Sequence, residues 1–84
     1  MKIDPSIQLT FTFAGRVVVT PDNLKIGAKV THGPDWMWGD QGKGLEGVID
    51  RILPTNGWVM VEWPNNTNYG YRIGAQDSYD LTYI

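Results

Sequence analysis

Apolar and polar side chains alternate over the first stretch of the chain. Within residues 7–13, four large apolar residues are separated by single polar ones, a spacing that places all four on one face of a strand. Ala14-Gly15 follows as a turn signal, and three consecutive valines within residues 16–20 favour a second strand. We therefore predict a β segment over residues 1–24. Because residues 7–13 would otherwise leave an apolar face exposed, we expect them to pair with, or pack on, the rest of the domain, residues 16–20 or a second copy of the chain.

Five further short strands are predicted in the remainder of the chain. They are expected over residues 28–31, 48–53, 58–63, 69–73 and 81–84. Turn signals separate several of them, most clearly the Asn-Gly pair within residues 54–57 and the Pro-Asn-Asn-Thr run at residues 64–67. Five short strands joined by turns favour a small barrel, because closure removes exposed sheet edges.

Residues 58–63 also predict which face of the sheet is buried. Val59, Val61 and Trp63 share one side of that strand, and we expect them in the core together with Ile73. Ten glycines and five prolines interrupt the chain too often for a helix of more than about two turns. The predicted fold is therefore all-β: a small barrel with an additional N-terminal β segment.

Composition limits the chemistry that the chain can perform. Its 84 residues have room for one core, to which four Trp, four Tyr and two Phe contribute apolar mass. The sequence holds no cysteine, which excludes disulfides, thiol nucleophiles and cysteine-containing zinc sites. His32 is the single histidine, and we interpret it as a surface residue or as one that anchors a loop. No enzymatic activity, cofactor or metal is expected.

Charge is distributed unevenly along the chain. The net charge is -2, and from residue 31 onward seven acidic residues face three basic ones. This balance argues against a nucleic-acid ligand and favours a basic or mixed-charge peptide or protein partner. The apolar runs are too short to span a membrane, and no secretion leader is recognised, so neither membrane insertion nor secretion is expected.

Two short motifs are better explained by structure than by chemistry. Residues 42–47 spell Gly-x-Gly-x-x-Gly, but a β-rich stretch follows instead of the helix that a dinucleotide site requires, so we expect the glycines to permit left-handed turns. Asn65-Asn66-Thr67 matches the N-glycosylation triplet, and we interpret it as a turn.

The long loop at residues 32–45 is the strongest candidate for function, since loops of this length usually carry it. Trp36 and Trp38 either pack down to close one end of the barrel or stand out as a binding platform, and one ring in each role is a third arrangement. Asp35 and Asp40 could act as an acid–base pair, but carboxylates in a glycine-rich loop more often cap turns. We predict a partner-binding surface made of this loop and nearby tyrosines: Asp35, Trp36, Trp38, Asp40, Tyr69, Tyr71, Arg72 and Tyr79.

Several of these residues lie in runs that resemble a known family. They are Asp-Trp-Met-Trp-Gly-Asp-Gln at residues 35–41, Asn-Tyr-Gly-Tyr-Arg-Ile-Gly at 68–74 and Tyr-Asp-Leu at 79–81. Together they resemble the Mib-Herc domain of mind bomb, HERC-type and other HECT-domain ubiquitin ligases. The resemblance covers residues 26–84, and we predict a domain over residues 25–84 preceded by the segment 1–24.

The resemblance implies an SH3-like β-barrel that recognises proteins for a larger intracellular E3 ubiquitin ligase. It further implies a cytoplasmic location, with the nucleus as the alternative, and contacts with other domains of the parent ligase. HECT domains transfer ubiquitin through a cysteine thioester, and RING domains need Cys/His zinc sites. Because this chain has no cysteine, we expect it to be a non-catalytic module.

Two other binding functions are compatible with the sequence. Clustered Trp and Tyr beside a carboxylate could form a cage for methyl-lysine. Alternatively, the domain could be a scaffold that packs on its neighbours in the parent protein. A small enzyme is the least favoured interpretation.

Overall fold

A computed structural model describes residues 11–84 and confirms the all-β prediction. The strands are β1 (Thr12–Phe13), β2 (Arg16–Val17), β3 (Lys29–His32), β4 (Gly47–Ile52), β5 (Trp58–Glu62), β6 (Asn68–Arg72) and β7 (Leu81–Tyr83). Among the described residues, helical structure is limited to one 3-10 turn, Ala75–Asp77. No helix within residues 11–84 is long and apolar enough to span a membrane.

β3 to β7 correspond to the five strands predicted after the N-terminal segment. They form one antiparallel sheet in the order β6-β5-β4-β3-β7. Ile73, just after β6, forms a bridge with Tyr79, just before β7, so the two outer strands of this sheet meet. This meeting of the edges is consistent with the predicted SH3-like barrel.

The core lies on the inner face of this sheet. Val59 and Val61 alternate with more exposed neighbours along β5, and both are fully buried. Trp63 and Ile73 are buried as well, so all four predicted core residues are confirmed. The remaining core members come from the other strands and from the N-terminal segment: Val18, Val19, Val30, Ile49, Tyr71 and Leu81.

The N-terminal segment contains the predicted turn. Ala14 and Gly15 both have positive φ, 54° and 77°, as a two-residue hairpin between β1 and β2 requires. Residues 7–10 of the predicted first strand lie outside the described residues.

Beyond β2, the segment packs on the barrel. Val18 bridges Thr82 of β7, and the Val19 N–H donates a hydrogen bond of 3.0 Å to the Leu81 carbonyl. Both valines are fully buried. The domain boundary at residue 25 stays a prediction.

Candidate protein-binding site

Residues 33–46 join β3 to β4, and we call them the tryptophan loop. Trp36 is stacked between two rings that belong to strands: the centroid of His32 lies 3.5 Å away and that of Tyr71 4.9 Å away. Trp63 meets this stack edge-on, with its ring centroid 6.2 Å from that of Trp36. Edge-to-face and offset-stacked contacts are the arrangements that aromatic rings prefer. Of the alternatives given for the two tryptophans, Trp36 therefore packs down on the barrel.

A chain of hydrogen bonds links the buried rings to the loop. The Trp63 indole N–H donates to the Tyr71 hydroxyl at 2.9 Å, and that hydroxyl donates to Gln41 Oε1 at 2.8 Å. Burial raises the pKa of Tyr71 to about 12, so the hydroxyl keeps its proton at neutral pH and remains a donor.

His32 holds the same stretch of loop through its ring. Its Nε2 lies 2.7 Å from the Gln41 carbonyl oxygen, and because a carbonyl only accepts, Nε2 carries a hydrogen. The interpretation of His32 as a loop anchor is confirmed.

Trp38 is anchored to a buried ion pair. Arg72 and Asp80 are 5% and 0% exposed, and the guanidinium meets the carboxylate through Nε and Nη2, each at 2.9 Å. The Trp38 indole N–H donates to the same carboxylate at 3.0 Å, while the Arg72 guanidinium lies 5.5 Å from the Trp38 ring centroid. Hydrogen bonding to Asp80 raises the pKa of Arg72 above its ordinary value. Trp38 is thus fixed by charge as well as by packing.

Asp35 ties the start of the loop to the chain before β7. Its carboxylate accepts a 2.7 Å hydrogen bond from the Tyr79 N–H, and its own N–H donates to the Tyr79 carbonyl at 3.0 Å. Its carbonyl accepts a bond of 3.0 Å from Arg72. Asp35 thus has the structural role expected for it, but its carboxylate links two segments that are distant in sequence and does not cap a local turn.

Gly42 shows why the Gly-x-Gly-x-x-Gly motif is needed here. A Cβ atom at this position would lie 2.6 Å from the Trp63 ring, and its φ of 63° is in the left-handed region. Gly44 also has a positive φ, of 71°. The structural interpretation of these glycines is confirmed, because they let the loop bend and lie against the indole.

The exposed part of the loop is small and chemically mixed. Met37 lies between the two anchored tryptophans and is 64% exposed, whereas both tryptophans are half-buried. Asp40 is exposed, and Tyr69, two residues before Tyr71 on β6, is 41% exposed. No group of three or more potential metal ligands occurs within residues 11–84. This surface is suited to contact with another molecule.

Comparison with known proteins assigns the chain to a family. The profile of the family described as Mib_herc2 matches residues 27–84, more than half of the chain. The chain belongs to the Mib_herc2 family. The sequence-based recognition is therefore confirmed.

Relatives of this Mib_herc2 chain include proteins named as ligases. The mouse E3 ubiquitin-protein ligase HERC2 is 41% identical over 73% of the chain, and the human putative HERC2-like protein 3 is 43% identical over 69%. The Drosophila melanogaster E3 ubiquitin-protein ligase Ufd4 is 39% identical over 70% of the chain. The match spans 1%, 5% and 2% of these relatives, respectively. Mib_herc2 domains thus occur in E3 ubiquitin ligases as a small part of the protein.

The Mib_herc2 structure brings most of the predicted site residues together. Asp35, Trp36, Trp38, Tyr71, Arg72 and Tyr79 converge where the tryptophan loop meets β6 and the chain before β7. Tyr71 and Arg72 are buried there, so they support the loop from below and offer almost no surface to a partner. Tyr69 and Asp40 lie at the exposed margin. Contact of these eight residues with a partner stays a prediction.

Sequence reasoning missed three residues that organise or extend this site. Asp80 accepts hydrogen bonds from both Arg72 and Trp38. The sequence clue to it was Arg72 itself, which lies between two core residues and therefore implies a buried anion nearby. Gln41 ends the run at residues 35–41 that carries the family resemblance, but nothing else in the sequence distinguishes it from other polar loop residues. Met37 could have been found from the Trp-Met-Trp alternation, which separates it from its neighbours.

Proposed function

We propose that this chain is a non-catalytic protein-recognition module of a larger E3 ubiquitin ligase, in which it helps to recruit a substrate or partner for ubiquitination. Membership of the Mib_herc2 family and the names of the relatives support this proposal. The 84 residues of the chain include no cysteine to carry ubiquitin as a thioester. In this proposal, catalysis belongs to another domain of the parent protein, which acts in the cytoplasm or nucleus.

The observation that carries the proposal is the rigid support beneath Met37. Both flanking indoles donate intramolecular hydrogen bonds, Trp36 to the Gly39 carbonyl and Trp38 to Asp80. A loop ordered before binding loses little conformational entropy on binding, which leaves more of the contact energy for affinity. Methionine is an adaptable apolar contact that is common at protein-binding surfaces. The tryptophan loop therefore presents one apolar side chain in a fixed position.

Charge supports a basic or mixed-charge ligand. Asp40 is exposed on the same loop, and acidic residues outnumber basic ones seven to three from residue 31 onward. Complementary charge on the partner would raise the association rate and select against acidic ligands.

The methyl-lysine alternative is less favoured by the ring geometry. A methylammonium group needs open aromatic faces, but Trp36 is stacked between His32 and Tyr71. Arg72 already provides a cation beside Trp38. The scaffold alternative uses the same exposed surface, with a neighbouring domain of the parent protein as the occupant.

Peptide selection with the purified 84-residue chain tests the proposal. We expect the displayed peptides that bind to be enriched in apolar residues accompanied by Lys or Arg. In calorimetry with a synthetic selected peptide, Met37→Ala should weaken binding about tenfold, or about 1.4 kcal/mol. Met37 is a sharper probe than either tryptophan, because truncating an indole would also remove packing.

The matched control is Ile26→Ala, another exposed apolar residue, which precedes β3 at the end opposite the tryptophan loop. We expect this variant to keep wild-type affinity. Equal affinity of Met37→Ala and wild type for every selected peptide would contradict the proposed surface. Tighter binding of trimethylated peptides would favour the methyl-lysine reader, and retention of no peptide would favour the scaffold.

A further inference from the structure

A concave surface lies where β4 and β5 pair, and Met37 is not among its lining residues. It is a cavity of about 250 Å³ lined by Glu46, Val48, Glu62, Trp63, Pro64 and Asn66. We call it the glutamate groove. Trp63 is among the lining residues but is only 1% exposed, while Val48 and Pro64 contribute apolar surface that solvent reaches.

Only one of the two carboxylates of the glutamate groove forms an ion pair within the described part of the chain. Lys29 Nζ lies 3.5 Å from Glu46 Oε1, with both side chains more than half exposed. The strand register runs from Lys29 to Val48 to Glu62, so Val48 separates Lys29 from Glu62. The backbones of Lys29 and Glu62 are therefore two strand spacings apart, which is about 10 Å. Glu62 has no ion pair among the described residues, which leaves this side of the groove with uncompensated negative charge.

We propose that the glutamate groove binds one basic side chain, lysine or arginine, of a protein partner. Both side chains combine an apolar stem with a cationic head, and they bury the stem while the head stays in polar surroundings. Val48 and Pro64 would contact the stem, and Glu46 and Glu62 would hold the head from two sides. An exposed ion pair contributes little stability, so the Lys29 contact to Glu46 is easily rearranged.

This inference rests on the proposed function for the identity of the ligand, a protein. It adds one requirement to recognition through Met37: the partner must also carry a basic residue that contacts the glutamate groove. The groove itself is tested with small probes, and the result is therefore independent of whether a protein partner is found.

Two-dimensional NMR of the 15N-labelled chain tests the groove directly. The probes are N-acetyl-arginine amide, N-acetyl-lysine amide and the neutral analogue N-acetyl-citrulline amide. We expect the cationic probes to cause saturable shifts confined to the amides of Glu46, Val48, Glu62 and Asn66, with the larger effect identifying the preferred head group. Citrulline should cause no such shifts.

Matched variants separate the groove from general attraction by acidic residues. Glu62→Gln should weaken binding of the cationic probe at least fivefold, while Asp50→Asn, which removes another exposed carboxylate of β4, should leave it unchanged. The inference would be overturned by shifts scattered over the acidic surface, by equal effects of citrulline, or by an unaltered response of Glu62→Gln.

Discussion

Two aspartates of the protein pair with arginine in opposite environments. Asp80 is fully buried and accepts hydrogen bonds from the Arg72 backbone and guanidinium and from the Trp38 indole. Asp50 pairs with Arg51 on the surface, with both side chains about half exposed. Water already stabilises the exposed charges, whereas the buried ones depend on each other. The contribution of a carboxylate is therefore set by its surroundings.

We expect Asp80→Asn to lower the free energy of unfolding by about 3 kcal/mol or more, because it leaves the Arg72 charge buried without its counter-charge. Asp50→Asn is the matched control and should change it by less than about 1 kcal/mol. Urea denaturation followed by tryptophan fluorescence measures both values. Equal effects of the two substitutions would show that the buried pair does not organise the fold.

At the scale of strands and loops, alternation predicted the sheet well and the site only in part. Val59 and Val61 are buried because a period of two, visible in the sequence, places them on one face. The contact between Trp38 and Asp80 joins residues 42 positions apart, and no local pattern encodes it. Tyr71 and Tyr69 share a strand and a residue type, yet the loop covers only the first. Local periodicity therefore predicts which face is buried, while the loop that covers it depends on tertiary contacts.

The three consecutive valines at residues 17–19 show the same limit of local sequence patterns, and they allow a test. Val17 is 39% exposed, whereas Val19 is fully buried beside β7. We expect Val19→Ala to lower the free energy of unfolding by about 2 kcal/mol, and Val17→Ala by about 0.5 kcal/mol or less. Thermal or urea unfolding of the full chain provides the comparison. Similar small losses for both variants would mean that the N-terminal segment adds no stability to the barrel.

At the scale of the whole molecule, two acidic surfaces share one rigid frame. The tryptophan loop presents Met37 and Asp40, and the glutamate groove presents Glu46, the last residue of that loop, and Glu62 of β5. Trp63 connects them, because it packs edge-on to Trp36 and is also among the residues that line the groove. A partner that spans both surfaces would therefore meet a fixed arrangement of apolar and negative groups.

This arrangement predicts how salt affects binding of a peptide selected by the chain. The affinity should fall by about tenfold or less between roughly 50 and 500 mM NaCl, because salt screens a few exposed ion contacts while the apolar contact with Met37 persists. A ligand held by many phosphate contacts would lose affinity far more steeply over the same range, because it releases many counterions. Calorimetry or fluorescence anisotropy at four salt concentrations measures the slope, with a version of the peptide in which Lys and Arg are replaced by Gln as the control. That neutral peptide should bind more weakly at low salt and show almost no slope. If the affinity of the basic peptide were constant or rose with salt, the acidic surfaces would have no part in recognition, and Met37 alone would remain.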